Sequence, residues 1–279
     1  MKNRSLRLGY SPCPNDTFIF YALIHGRIPL SGMTIHEELA DVETLNRLAL
    51  AGTLDLTKIS YHAFGHLRSD YALLRSGGAL GRGCGPLIVA QQRTSMERLR
   101  GGLIAIPGEL TTANLLLQLH GTGYDRLLVL PFDQIMEAVE SGKVDAGLII
   151  HESRFTFAEH GLVEVEDLGA WWEKLTGLPI PLGGILARRD LGRDTIELVE
   201  SAIRASVRYA FDHPEETRAY IHAHAQELED AVIEQHINLY VNHFSLDLGE
   251  EGMAAVQELL HRATAAGIIP ASSLPLGSL

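Results

Sequence analysis

The sequence contains little cysteine and lacks an apolar segment long enough to span a membrane. Its two cysteines, Cys13 and Cys84, fit neither a disulfide framework nor a zinc-ligand spacing, which is typical of a reducing compartment. The apolar stretch from Phe18 to Ile24 is too short to cross a bilayer, and no signal-peptide run follows the basic N-terminus. These features predict a cytoplasmic protein that is not embedded in a membrane.

Positive charge is also scarce. The 23 lysines and arginines are outnumbered by 35 aspartates and glutamates, which gives a net charge of −12. This balance argues against nucleic acid or an anionic membrane as partner, although a cleft with local positive potential can still bind a small anion. A length of 279 residues, 46% of them hydrophobic, predicts two modest domains or one large one.

An internal repeat relates residues 43–55 to residues 133–145. The two copies share an acid at the first position, three apolar positions, a glycine and a final aspartate. Each copy is typical of a helix with an acid in its first turn, a glycine stop and a following apolar strand. The repeat therefore predicts two similar α/β lobes, with the ends of the two repeat strands facing one cleft.

Strand and helix signals alternate along most of the chain, which favours an α/β class with largely parallel sheets. From about residue 195 onward the pattern is helical. Glycine-led apolar strands at 85–90 and 183–188 are interpreted as the two crossings between lobes. The resulting prediction is a discontinuous first lobe and an inserted second lobe, with these ranges: 1–93 and 188–279 for the first, 94–187 for the second.

His151 is the leading candidate for catalysis. It follows the apolar run 146–150, and ligands of open α/β sheets bind at the carboxyl ends of the strands. An imidazole there can take a proton near neutral pH, although a histidine that only caps the strand is the alternative. Glu152 is a candidate for orienting the ring. Arg154 either binds an anion or covers the loop.

Three further positions are candidates for ligand binding. Lys58 and Ser60 end the strand of the first repeat, where the lysine supplies positive potential for a carboxylate ligand. Thr111 and Thr112 begin a helix, and free N–H groups at helix N-termini attract anions, although plain N-capping is the alternative.

The rigid turn 11–16 is the third position. It places Asn15 and Asp16 at the end of the first strand, where they are plausible ligand contacts, while Cys13 is interpreted as a packing residue. No metal site is predicted, because His62 and His66 have a helical ligand spacing but no evident third ligand.

Several motifs together resemble one enzyme family, the 1,4-dihydroxy-6-naphthoate synthases of the futalosine route to menaquinone. The similar segments are Ser11-Pro-Cys-Pro-Asn-Asp-Thr-Phe, Asp41-Val-Glu-Thr-Leu-Asn, Leu56-Thr-Lys-Ile-Ser, Ser76-Gly-Gly-Ala-Leu-Gly-Arg-Gly and Gly147-Leu-Ile-Ile-His-Glu-Ser-Arg-Phe. The resemblance implies a two-lobed periplasmic-binding-protein-like fold of type II, with the ligand cleft between the lobes.

The resemblance also implies a reaction. The substrate would be cyclic dehypoxanthinyl futalosine, a carboxylated small molecule, which is cleaved at a carbon–carbon bond and aromatised without a metal or redox cofactor. His151 would be the base of this carbon–carbon lyase. Substrate contacts would come from two segments, which are Thr57, Lys58, Ile59 and Ser60 in the first lobe and Thr111 and Thr112 in the second.

Three alternatives remain open on sequence grounds. A solute-binding protein can use the same fold, but the missing export signal and the strand-end histidine count against it. Chorismate dehydratase is expected to lack the His-Glu-Ser-Arg motif, and a ligand-sensing regulator would need a DNA-binding segment. The group that binds the substrate carboxylate is left open between Lys58, Arg154 and the helix start at Thr111, and the oligomeric state is not specified.

Overall fold

The structure, a computed structural model, describes residues 4–30, 32–225 and 229–277. Among these residues no helix combines the length and the hydrophobicity that a membrane crossing requires. The strands, in chain order, are β1 (Arg4–Tyr10), β2 (Met33–Leu39), β3 (Leu56–Ser60), β4 (Tyr71–Leu73), β5 (Ala79–Gly81), β6 (Leu87–Ala90), β7 (Ile104–Ile106), β8 (Leu127–Val129), β9 (Ala146–Ile149), β10 (Val163–Asp167) and β11 (Ile180–Arg188).

Helices connect these strands and then form a C-terminal helical region. They are α1 (Pro14–Ile24), α2 (Val42–Leu50), α3 (Tyr61–Leu67), α4 (Thr112–His120), α5 (Ile135–Glu140), α6 (Ser153–Thr156), α7 (Leu168–Thr176), α8 (Arg193–Asp212), α9 (Pro214–His224), α10 (Asp230–Tyr240), α11 (His243–Leu246) and α12 (Gly249–Ala265). Two short 3-10 turns lie at Phe132–Gln134 and Arg189–Leu191. The predicted change to a helical pattern near residue 195 is confirmed.

Two sheets form the centres of two lobes. The first has the order β2-β1-β3-β11-β4, with β5 paired to β11, and the second has the order β10-β6-β9-β7-β8. Each sheet contains three parallel strands. In the first sheet β1 lies between β2 and β3, and in the second β7 lies between β8 and β9. The two sheets are therefore built alike around one pattern, as the internal repeat predicts.

The sheets are mixed and not largely parallel. Strand β11 runs antiparallel to β3, and β6 runs antiparallel to β9. These two strands are the glycine-led segments that the sequence places at the crossings between lobes. Each occupies the same position in its sheet, directly beside the last strand of the repeat, and the chain returns along it in the opposite direction.

Sheet membership divides the chain at different residues from the predicted boundaries. Strand β6 belongs to the second sheet, although the prediction places residues up to 93 in the first lobe. Strand β11 belongs to the first sheet, although residues up to 187 are predicted in the second lobe. Both differences have one cause, since a strand that leads from one lobe to the other pairs with the sheet that it enters.

Each copy of the repeat ends its helix at a glycine. Gly52 follows α2 with φ of 66°, and Gly142 follows α5 with φ of 70°. Backbone in this left-handed region is accessible to glycine without a steric penalty, so the chain can turn sharply from the helix into the next strand. At the start of α2 the Asp41 carboxylate accepts hydrogen bonds from the backbone N–H groups of Glu43 and Thr44.

The C-terminal helices complete the first lobe. Helix α1 packs against α8, where the buried Ser206 hydroxyl donates to the Ile19 carbonyl and accepts from the Leu23 N–H. The two lobes are in direct contact at the cleft. Tyr61 N–H donates to Thr112 Oγ1 at 2.9 Å, and Leu110 N–H donates to Glu43 Oε2 at 3.1 Å. These two hydrogen bonds connect the lobes directly.

Candidate active site

A cleft lies between the lobes where the repeat strands end. The empty space in it, including its opening to solvent, is about 710 Å³. Its lining combines apolar side chains with a few polar groups from both lobes: Ser11, Asn15, Asp16, Val42, Leu45, Lys58, Ile59, Ser60, Ala79, Cys84, Pro86, Thr111, Thr112, Ala113, Ile150, His151, Leu182, Gly183, His236 and Tyr240. The sequence prediction of a cleft at these strand ends is confirmed.

His151 occupies an unusual backbone conformation at the end of β9. Its φ is 56°, and among the residues that the structure describes it is the sole non-glycine residue with positive φ. This region costs a side-chain-bearing residue about 1–3 kcal/mol, and such strain is concentrated at functional sites. The conformation turns the chain from β9 into α6 and leaves the imidazole in the cleft lining.

The surroundings of His151 keep its imidazole neutral near pH 7. Burial lowers the pKa of His151 below its ordinary value of 6.5, while the nearby carboxylates of Glu152 and Asp16 oppose that shift. The ring lies 4.9 Å from the Phe132 ring, and neither ring nitrogen is hydrogen-bonded within the described part of the chain. A neutral imidazole with an available lone pair can accept a proton from a ligand.

Glu152 and Cys13 lie beside His151, and the three donor atoms are within 4.8 Å of one another. Glu152 is buried, and its Oε2 has no hydrogen-bond partner among the described residues. This cluster, of which only His151 lines the cleft, is the group of side chains here whose spacing could hold a metal ion. However, burial raises the pKa of the Cys13 thiol well above its ordinary value, which disfavours the thiolate that a metal or a nucleophile requires.

Lys58 and Asp16 form a buried ion pair at the bottom of the cleft. Lys58 Nζ lies 2.7 Å from Asp16 Oδ1 and donates a second hydrogen bond to the Gly77 carbonyl at 3.0 Å. The Asp16 carboxylate also accepts from the Ser11 hydroxyl and from the Asn15 amide. Since its charge is neutralised by Asp16, Lys58 is not the free cation that the sequence prediction placed opposite a ligand carboxylate.

The start of α4 lines the cleft. Thr111 is the N-cap: its Oγ1 accepts from Asn114 N–H and donates to the Gly108 carbonyl. Thr112 Oγ1 accepts from Tyr61 N–H and donates to the Leu182 carbonyl. Both hydroxyls therefore hold the helix start in place. Thr111, Thr112 and Ala113 line the cleft, so the positive end of the helix dipole lies at its wall.

Ser60 adds a hydroxyl donor next to this helix start. Its Oγ accepts a hydrogen bond from Asn46 Nδ2 at 3.3 Å, and its N–H donates to Asn46 Oδ1 at 3.0 Å. Within the described ranges the hydroxyl hydrogen has no acceptor, so it can be donated to a ligand. Asn46 is completely buried and fixes the position of Ser60.

Two predicted contact residues lie outside the cleft lining. Thr57 is fully buried in β3 on the side facing Gly9, behind the cleft wall. Arg154 forms an ion pair with Asp167 at 2.7 Å and donates to the Gly85 carbonyl. The arginine therefore ties α6 to the segment before β6 and to the end of β10. Ile59, by contrast, does lie in the lining.

The structure adds two site residues that the sequence reasoning missed. His236 and Tyr240 come from α10, about 85 residues beyond His151, and both line the cleft. Neither follows a strand or belongs to the repeat, so no local signal identified them. His62, by contrast, bonds the Thr111 carbonyl through Nδ1 at 3.3 Å, and supports the start of α4.

Comparison with known proteins places this geometry in a family. A family model described as menaquinone biosynthesis matches residues 6–265. The chain is 57% identical over 272 residues to a 1,4-dihydroxy-6-naphthoate synthase of Thermus thermophilus, covering 98% of both chains. The resemblance inferred from the motifs is thereby confirmed.

Solved structures with a similar fold identify the fold class. Protein AF1704 from Archaeoglobus fulgidus superposes with a TM-score of 0.90 at 37% identity, covering 95% of this chain and 98% of that one. The alkanesulfonate-binding protein SsuA from Xanthomonas axonopodis, at 15% identity and 98% and 97% coverage, superposes with a TM-score of 0.71 and shares the periplasmic-binding-protein fold. Taken with the sequence matches, these likenesses show that the chain belongs to the menaquinone-biosynthesis family that includes 1,4-dihydroxy-6-naphthoate synthase.

Proposed function

We propose that the protein is a 1,4-dihydroxy-6-naphthoate synthase that converts cyclic dehypoxanthinyl futalosine to 1,4-dihydroxy-6-naphthoate, with His151 as the base. The observation that carries the proposal is a neutral imidazole with unbonded ring nitrogens at the strained end of β9, inside the cleft between the lobes. The family match and the identity to the Thermus enzyme give the reaction.

The chemistry begins with proton transfer. His151 removes a proton from a hydroxyl of the sugar-derived part of the substrate, and the resulting alkoxide collapses to a carbonyl. The carbon–carbon bond to the ring system breaks, and its electron pair leaves on the ring carbon as an enolate. Aromatisation of the new ring then drives the sequence forward. A positioned base contributes about a hundredfold to ten-thousandfold in rate, and orientation of the substrate within the cleft adds to it.

We place the substrate carboxylate at the start of α4. Of the three candidates, Lys58 is paired with Asp16 and Arg154 is paired with Asp167 outside the cleft lining. The helix start is the remaining candidate. Thr111, Thr112 and Ala113 line the cleft from the second lobe, and Ser60 lines it from the first. The N–H groups at a helix start and the helix dipole favour an anionic group.

Ser60→Ala tests this placement. The variant is expected to raise KM about tenfold or more, because a hydrogen bond to a charged group contributes about 1.5–3 kcal/mol. The turnover number should change little, since the carboxylate is remote from the reacting hydroxyl. Steady-state kinetics check the result, with Ser69→Ala, an exposed serine beside Asp70, as the matched control. An unchanged KM in Ser60→Ala would remove this hydroxyl from the carboxylate site.

The pH dependence of kcat/KM should report the deprotonation of His151. The base must be neutral, so activity is present above its folded pKa and is lost as the pH falls through that value. Because burial lowers this pKa from 6.5, the acid limb should lie below pH 6.5. A profile measured between about pH 5 and pH 8 checks this. An acid limb that is centred above pH 6.5 and persists when His151 is replaced would contradict the assignment.

The function itself is tested by incubating the purified protein with cyclic dehypoxanthinyl futalosine and following product by fluorescence and mass spectrometry. Formation of 1,4-dihydroxy-6-naphthoate by the wild type establishes the reaction. Tight binding without product would instead assign the protein to the solute-binding class that shares its fold. Absence of both would reject the substrate.

We further propose that the enzyme works in the cytoplasm on a small carboxylated substrate, without nucleic acid or membrane as partner. Scarce cysteine and the net charge of −12 support this setting.

A further inference from the structure

The cleft wall formed by α10 contains a histidine that the proposed proton transfer does not use. His236 is completely buried and belongs to the cleft lining. Its ring is nearly parallel to that of His151, with an interplanar angle of 11° and ring centroids 6.2 Å apart. Two imidazoles, one from each lobe, therefore lie close together beside the same enclosed space.

The surrounding hydrogen bonds determine which nitrogen of His236 carries a proton. Nε2 lies 2.9 Å from Asn15 Oδ1. The Asn15 amide nitrogen donates to Asp16 Oδ1, so the Asn15 oxygen is the atom that faces the ring and must accept. Nε2 is therefore the donor. Burial lowers the pKa of His236 well below its ordinary value, and the Lys58 ammonium nearby acts in the same direction, so Nδ1 keeps a lone pair.

This lone pair is unused by the protein. Nδ1 of His236 is buried and has no hydrogen-bond partner among residues 4–30, 32–225 and 229–277. A buried polar atom without a partner is costly, and it is expected where a ligand supplies the missing bond. An acceptor of this kind requires an O–H or N–H donor from that ligand.

We propose that His236 Nδ1 accepts a hydrogen bond from a hydroxyl of the sugar-derived part of the substrate and so holds that part beside His151. The inference rests on the proposed function and adds a specificity-determining residue to it. Both rings line the cleft, and under this proposal one accepts the proton while the other orients the neighbouring hydroxyl. Only one of the two takes the proton, because a positive charge on His151 opposes a second charge on its neighbour.

Two substitutions at position 236 separate a ligand-binding role from a structural one. In His236→Gln the side-chain amide can still donate to Asn15 from the position of Nε2, but the acceptor at Nδ1 is lost. In His236→Asn the amide oxygen can replace Nδ1, but the bond to Asn15 is lost. We expect His236→Gln to raise KM about tenfold to a hundredfold and His236→Asn to raise it less. The reverse order, or equal KM values, would overturn the inference, because a purely structural role depends on Asn15.

A spectroscopic measurement reads the same bond directly and does not depend on turnover. In His151→Ala protein labelled with ¹⁵N-histidine, cyclic dehypoxanthinyl futalosine should move the Nδ1 resonance of His236 toward that of a hydrogen-bonded acceptor. An unmoved resonance in protein saturated with substrate would overturn the inference. Failure of the proposed function is distinguished by the wild type, which would then form no 1,4-dihydroxy-6-naphthoate under any condition.

Discussion

Replacing His151 with alanine is expected to lower kcat by about a hundredfold to ten-thousandfold. The substrate Kd should stay within about tenfold of the wild-type value, because a base acts mainly on the barrier and contributes little to ground-state binding. The first-turn donors of α4 and the hydroxyl of Ser60 are untouched by this change. Single-turnover kinetics and calorimetric titration measure the two effects separately.

Two control variants isolate the imidazole from the backbone at this position. His36→Ala removes an exposed histidine from β2, outside the cleft, and should leave kcat unchanged. His151→Gly loses the same imidazole but relieves the positive φ of 56°, so it should melt at a higher temperature than His151→Ala while showing the same loss of turnover. Turnover close to wild type in either His151 variant would exclude this residue as the base.

The architecture of the site could be predicted because it depends on local signals. The glycine stops at Gly52 and Gly142 and the strands that follow them are visible in the sequence, and parallel strands bring their carboxyl ends to one edge. These signals predict that His151, Ser60 and the start of α4 lie at one cleft, and all three line it. The N-cap at Thr111 can also be predicted from the sequence, because a hydroxyl residue at a helix start commonly accepts a hydrogen bond from a first-turn N–H group.

The remaining features depend on contacts between distant segments. The partner of Lys58 is Asp16, 42 positions earlier, and an isolated strand end does not reveal whether a lysine is free or paired. His236 enters the cleft only because α10 folds back onto the first lobe, 221 positions from its partner Asn15. The sheet to which β6 and β11 belong is decided in the same way, by hydrogen bonds to strands far along the chain.

The buried ion pair of Lys58 and Asp16 is expected to contribute strongly to the stability of the fold. Their side chains are only 7% and 4% exposed, so neither charge is solvated if its partner is removed. A buried charge without a partner costs much more than the net stabilisation of the intact pair, because desolvation is no longer offset by attraction. Asp16 retains its bonds from Ser11 and Asn15, which compensate only part of this cost.

Lys58→Met is therefore expected to lower the free energy of unfolding by about 3–5 kcal/mol, measured by urea denaturation. Adding Asp16→Leu to this variant should recover part of the loss, because it removes the carboxylate that the first change leaves unpaired. Arg193→Met is the matched control: its partner Glu197 lies one helical turn away on the surface, so the loss should stay below about 1 kcal/mol. A loss in Lys58→Met no larger than that of Arg193→Met would mean that water reaches the Asp16 carboxylate, and the cleft floor would then be far more open than its burial indicates.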